Sequence, residues 1–305
     1  MINEYVLKLI ENLPNEIKKV KSPLLIDLVL DGGIFNGSYL VGALHFLKEM
    51  EKQKIIKINR ISGCSVGSII AFLYYIDCLE LMPKFYEIIH LDFKQNYQLK
   101  IIKEIKKILG ENIPNNICEK INNKFYISYN NIKKRKKIIK NSFKTIDQIL
   151  NTIIKSCYIP FLIDGNILYE NKYMDGITPF IFKKEPNKKI LYLDLFGYDK
   201  IGNLLNIKNE KSNFHRILSG LLDIHTFFIK QSNTQMCSYV NDWSINNILF
   251  FYFKIMMEKI FIYITHLIIY IKNQFPDNVE DNVISKIFIK ITQDIFIILL
   301  EKYCL

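Results

Sequence analysis

Twice near its start the chain runs from a short aliphatic stretch, through glycines, into a segment of helical periodicity, and this repetition narrows its fold more than anything else. Leu24–Leu30 (LLIDLVL) lies between Pro23 and Asp31-Gly32-Gly33, the pattern of a buried parallel strand that closes in a tight turn. Residues 38–50 follow with Leu40, Val41, Leu44, Phe46 and Leu47 spaced as on a helix packed against a sheet. Residues 55–61 form a second strand candidate, which leads into Gly63-Cys64-Ser65-Val66-Gly67 and the apolar run 68–73. Strand, glycine turn and helix, in that order and repeated, call for a parallel α/β core and argue against a helical bundle. We therefore expect a three-layer αβα fold, with a mainly parallel sheet and helices on both faces.

The remainder reads as one domain over residues 1–305. Residues 1–22 have a helical pattern broken at Pro14, residues 81–157 are mostly helical in pattern, and residues 188–196 form a late strand closed by Gly197. Residues 200–247 leave open a surface excursion or a cap. C-terminal apolar helices are expected over about 248–300, the last of them from about 282 to 300. A membrane span needs about 20 predominantly apolar residues, and Lys254, Glu258 and Lys259 interrupt the stretch 248–272. The preferred reading of that stretch is a core helix, with a helix lying on a membrane surface as its alternative.

Composition excludes several classes. Half of the 305 residues are hydrophobic, enough for a sizeable core and too many for overall disorder. The net charge of +11 favours anionic surfaces, phospholipid headgroups or nucleic acid. The basic run Lys133-Lys134-Arg135-Lys136-Lys137 is a candidate membrane contact, competing with a plain solvated helix face, and no nucleic-acid-binding fold accompanies it. Cysteines at 64, 78, 118, 157, 237 and 304 form no C-x-x-C pair, which fits reduced intracellular usage. No signal peptide is visible at the start of the sequence, so we expect an intracellular or otherwise delivered protein, peripheral to a membrane. No spacing of ligands suggests a metal, and no cofactor is expected.

Glycine two residues to either side of Ser65 suits a strained strand-to-helix turn that lifts a serine hydroxyl clear of the sheet. The same residues also fit an ordinary turn with Ser65 as a helix cap. A nucleophilic serine needs a proton acceptor. Of the five histidines, His45 and His266 lie in apolar helical patterns, whereas His215 and His225 follow the core in chain order and fit a triad.

Four motifs in order resemble the patatin-like phospholipase family: Asp31-Gly32-Gly33-Ile34-Phe35-Asn36-Gly37, Gly63-Cys64-Ser65-Val66-Gly67, Ser156-Cys157-Tyr158-Ile159-Pro160-Phe161, and Tyr173-Met174-Asp175-Gly176. The resemblance covers about residues 24–196. It implies a patatin-like topology and a Ser65–Asp175 dyad that needs neither histidine nor metal, with Gly176 allowing the backbone to turn beside Ser65. It also implies an oxyanion loop at Gly32, Gly33 and Ile34, supported by Asp31, Asn36 and Gly37. The activity implied is hydrolysis of a phospholipid or other lipid ester at a membrane surface, through an acyl-serine. Residues beyond about 200 would then complete the domain and shape an apolar acyl channel. Two positions depart from the family: Ile34 stands at a common glycine and Asn36 at a common arginine. They keep open a weak or inactive lipid-binding homologue, beside the alternatives of a lysophospholipase or a lipid acyltransferase.

Overall fold

The computed structural model describes residues 2–18, 22–109, 112–197, 200–208, 210, 212–274 and scattered residues from 287 to 302. In chain order the elements are α1 (Ile2–Glu11), α2 (Asn15–Lys18), β1 (Leu24–Leu30), α3 (Gly37–Lys52), β2 (Ile56–Cys64), α4 (Val66–Tyr75), α5 (Met82–Asn96), α6 (Ile105–Leu109) and α7 (Ile117–Ile121). They continue with β3 (Phe125–Asn131), β4 (Lys136–Lys140), α8 (Ile146–Ser156), β5 (Tyr173–Asp175), β6 (Lys188–Leu193), α9 (Phe214–Lys230), β7 (Cys237–Tyr239) and α10 (Ile245–Gln274).

The strands form one mixed sheet in the order β4-β3-β2-β1-β6-β7. Its centre, β3-β2-β1-β6, is parallel, and β4 and β7 close the edges antiparallel. β1 sits between two neighbours and is buried along most of its length, which is why its sequence is a nearly unbroken aliphatic run. Ile26, Leu28 and Leu30 of β1, with Leu191 and Leu193 of β6, pack against α1, α3, α4 and α9. Val29, Ile190 and Tyr192 point the other way, onto Phe182, Val240, Trp243 and Phe251. That second cover includes the start of α10, so helices lie on both sides of the sheet and the expected three-layer architecture is present.

Three expectations need correction or completion. The helical reading of 81–157 fails over 125–140, where β3 and β4 form a hairpin with Ile127 opposite Lys140 and Asn131 opposite Lys136. β3 is buried on both of its faces, from Phe125 and Ile127 to Ser128 and Asn130. Its sequence therefore lacks the alternation that marks a half-exposed strand. Residues 200–247 are no excursion, because α9 packs along α3 and β7 extends the sheet.

The third correction concerns 248–272, which is helical but not a core helix. Lys254, Glu258 and Thr265 of α10 are buried, while Leu249, Tyr252, Phe253, Tyr263 and Leu267 are exposed. The helix turns Lys254 inward because the sheet's C-terminal edge offers it partners: Lys254 Nζ reaches Asp31 at 2.6 Å and Asp194 at 2.7 Å. The expected helix at about 282–300 lies largely outside the described residues. Among the described residues no helix is long and apolar enough to cross a membrane.

Candidate active site

Strand register brings the two halves of the site together. β3 pairs with β2 through residues 125–128, and there β2 ends at Cys64. β5 then takes over the same edge of β3, with Tyr129 opposite Asp175. The strand that carries Asp175 thus ends, at Asp175, beside the point where the strand leading to Ser65 stops.

Ser65 occupies the turn itself, at φ 49° and ψ −133°. A non-glycine residue in that region is strained, and such strain is held in place only by its surroundings. Three contacts do this. Gly63 and Gly67 flank the turn, and a Cβ on Gly67 would come within 2.5 Å of the Asp31 carbonyl oxygen. Ser156 completes the set: its hydroxyl accepts from the Ser65 amide at 2.9 Å and donates to the Ser128 carbonyl at 2.7 Å. Ser156→Ala leaves the Ser65 N–H buried without a partner, and we expect a loss of about 1–3 kcal/mol in a urea titration.

Asp175 is buried, and burial pushes its pKa up to about 7. The Ile177 amide, donating to Oδ1 at 2.6 Å, and the nearby Ser65 hydroxyl oppose that rise. Oδ2 is also buried but closes no hydrogen bond of good geometry. Ser65 is near enough for its hydroxyl to stabilise the ionised carboxyl. Gly176 crosses β3 so closely that a Cβ there would lie 2.2 Å from the Ser128 carbonyl oxygen.

The glycine loop leaves β1 beside this pair. The Gly32 amide donates to Asp31 Oδ1 at 3.0 Å, so the loop's remaining donors next to Ser65 are the amides of Gly33 and Ile34. Ile34 has a φ of 47°, a left-handed conformation that is costly for a β-branched residue and explains why glycine suits this position. Gly37 opens α3 close against Val66. Asn36 is buried, and its side chain donates to the carbonyls of Leu195 at 3.2 Å and Lys200 at 2.8 Å.

A guanidinium nevertheless stands at this loop. Arg216 of α9 is fully buried and donates to Asn36 Oδ1 at 2.7 Å, to the Asn203 and Asn206 carbonyls, and to Glu210. Because Glu210 matches its charge, Arg216 braces the loop and offers no free cation to a substrate. Asp31 is anchored from below by the Tyr192 hydroxyl at 2.9 Å and by Lys254. Burial works against the Lys254 ammonium, yet Asp31 and Asp194 outweigh it and raise its pKa.

Glu258, four residues further along α10, accepts from Asn130 at 2.8 Å, from Lys137 at 2.9 Å and from the Thr178 hydroxyl. Asn130 also donates to the Asp175 carbonyl at 2.9 Å. α10 therefore holds the glycine loop with one buried charge and the Asp175 segment with the other. Sequence reading missed Arg216, Lys254 and Glu258, since Asn36, Asp31 and Lys137, which they meet, lie 180, 223 and 121 residues away and no local pattern marks them.

The basic run is dispersed in its roles. Lys133, Lys134, Arg135 and Lys136 are exposed at the hairpin turn, whereas Lys137 points inward to Glu258 and Thr178. Ser65 itself opens onto a narrow cavity of about 50 Å³, lined by Ile34, Phe35, Ile69, Phe85, Leu99 and Ile159 among others. None of the five histidines lines it. His215 faces solvent beside Glu210, and His225 packs against Phe46. Among the described residues no group of three or more His, Cys, Asp or Glu could hold a metal ion.

The sequence profile described as patatin-like phospholipase matches residues 28–178, the span from mid-β1 through the Asp175 segment. The 1-acylglycerol-3-phosphate O-acyltransferase Pnpla3 of Mus musculus is 25% identical over 152 residues, covering 47% of this chain and 37% of the relative. The chain thus spans well under half the length of that relative. The glycine loop, the strained serine turn and the Asp-Gly segment all lie inside the matched span, and it is over residues 28–178 that this chain matches the patatin-like phospholipase family.

Proposed function

We propose that the protein hydrolyses an acyl ester of a glycerophospholipid or related lipid through an acyl-Ser65 intermediate, with Asp175 as the base. One observation carries this reading: the buried Asp175 carboxyl lies close enough to the Ser65 hydroxyl for the two to interact, and that serine is held in a strained turn lining an apolar cavity. Ser65 Oγ attacks the ester carbonyl as its proton passes to Asp175. The amides of Gly33 and Ile34 then receive the oxyanion, each such donor being worth about 3 kcal/mol of barrier. Collapse of the intermediate expels the alkoxide, which takes the proton from Asp175. Water then attacks the acyl-Ser65 carbonyl as its proton passes to Asp175, and collapse releases the carboxylic acid and expels Ser65 Oγ, which takes the proton back from Asp175. A carboxylate poised near neutrality suits both directions of this transfer.

The lining of the cavity supports a lipid acyl chain as the group held next to Ser65. The name of the Mus musculus relative supports a second outcome from the same acyl-enzyme, transfer to a lysophospholipid alcohol in place of water. Product analysis with and without an alcohol acceptor separates the two. The test of the shared step is covalent labelling by a fluorophosphonate. We expect the intact protein to be labelled and Ser65→Ala to be silent. Labelling that persists in Ser65→Ala, or a folded parent that neither labels nor turns over any ester, ends the proposal.

A further inference from the structure

We propose that the outer face of α10 and the neighbouring turn at 133–136 form one docking surface for an anionic lipid bilayer. α10 is 30 residues long, about 45 Å, and its outward side is apolar along that length. Leu249, Tyr252, Phe253, Tyr263, Leu267 and Tyr270 are each between 51 and 71% exposed. Tyrosines distributed among aliphatic side chains suit the headgroup boundary, where an apolar ring and a polar tip are both accommodated. The single acid in the helix, Glu258, is buried, so the exposed side carries no negative charge. Lys259 is exposed on it.

The second signal is the hairpin. Lys137 of β4 bonds Glu258, and Arg135 lies close enough to His266, further along α10, to act on it electrostatically. The turn with Lys133, Lys134, Arg135 and Lys136 therefore flanks the apolar face. An apolar helix face and a cluster of cations together give the two signals that stable attachment to an anionic surface requires. A second copy of the chain is the poorer occupant. A two-fold contact through this face would set two basic turns together on molecules that each carry +11. With the described residues of the C-terminal segment in place, the outer side chains of α10 remain exposed.

The inference is separable from the chemistry proposed for Ser65, and the test uses the full chain carrying Ser65→Ala so that lipid breakdown does not enter. Flotation is measured with phosphatidylcholine vesicles and with mixed phosphatidylcholine–phosphatidylserine vesicles. We expect binding to the mixed vesicles, weakened about 30-fold by Lys133→Gln with Lys134→Gln, and weakened at least about 100-fold by Leu249→Ser with Phe253→Ser. These side chains are exposed, and circular dichroism confirms that the variants keep their fold. Tyr263→Trp adds a direct reading, expected as a blue shift and protection from iodide only when mixed vesicles are present. The proposal is overturned if the parent floats with neither vesicle, or if both double variants float like the parent. It is equally overturned if the tryptophan is shielded before lipid is added, or if light scattering shows a dimer that Leu249→Ser with Phe253→Ser dissociates. The last two outcomes would assign the face to another part of this chain or to a second copy.

Discussion

Asp175→Asn is expected to lower ester hydrolysis by about a thousandfold and, at the same time, to make the folded protein more stable. Asparagine keeps the shape and an oxygen for the Ile177 amide, but it offers Ser65 an N–H in place of a proton acceptor. Its effect on stability follows from linkage. The Asp175 pKa rises from 3.8 to about 7 on folding, chiefly through burial. Between those two values the native state holds a proton that the unfolded chain has released. Stability contributed by this group is therefore greatest below the lower pH and falls until the upper one is passed. The Asn variant lacks that slope, so its advantage should vanish near pH 4 and reach a few kcal/mol above pH 7. Urea unfolding of both proteins across that range measures the difference, and an advantage independent of pH would refute the assignment. Hydrolysis by the parent should show the matching profile, falling as pH drops through about 7, because the base must be ionised.

Lys254→Met should destabilise the protein by about 3–5 kcal/mol, the cost of leaving a buried charge without its partner. Asp31 is fully buried, with its pKa raised to about 6 by burial despite the pull of Lys254. With the ammonium gone, Asp31 is expected to titrate higher still, so the loss should be smaller at pH 5 than at pH 8. Fluorophosphonate labelling of the surviving folded protein should also slow, because Asp31 bears the glycine loop through the Gly32 amide. A variant as stable as the parent at pH 8 would show that α10 does not hold the loop.

The centre of this fold is written locally, and its periphery is not. β1 declares itself because a strand with neighbours on both edges and cover on both faces becomes an aliphatic run. The Ser65 turn is equally visible, since glycine is demanded at fixed offsets by backbone atoms that approach it closely. β3 and β4 escape notice for a different reason. FYISYNN holds buried Ser128 and Asn130 whose partners are distant, and KKIIK reads no differently from the Lys and Ile of a helix in this chain. α10 shows the same limit more sharply. Its periodicity identifies a helix, but which side faces inward was decided by Asp31 and Asn130, and no property of residues 245–274 reveals that. Arg216 is the clearest case at the site. Asn36 breaks a familiar pattern in the sequence, and the residue that braces it comes from a helix 180 positions later.

The clasp formed by α10 also sets a schedule for synthesis. Asp31 leaves the ribosome 223 residues ahead of Lys254. Until that lysine emerges, seating β1 in the middle of the sheet would bury a carboxylate with no ammonium to meet it. The nascent chain is thus biased to keep its first core strand unsettled until α10 arrives. The glycine loop and the Asp175 segment would then be fixed together late in synthesis, since Glu258 follows Lys254 by a single turn of α10.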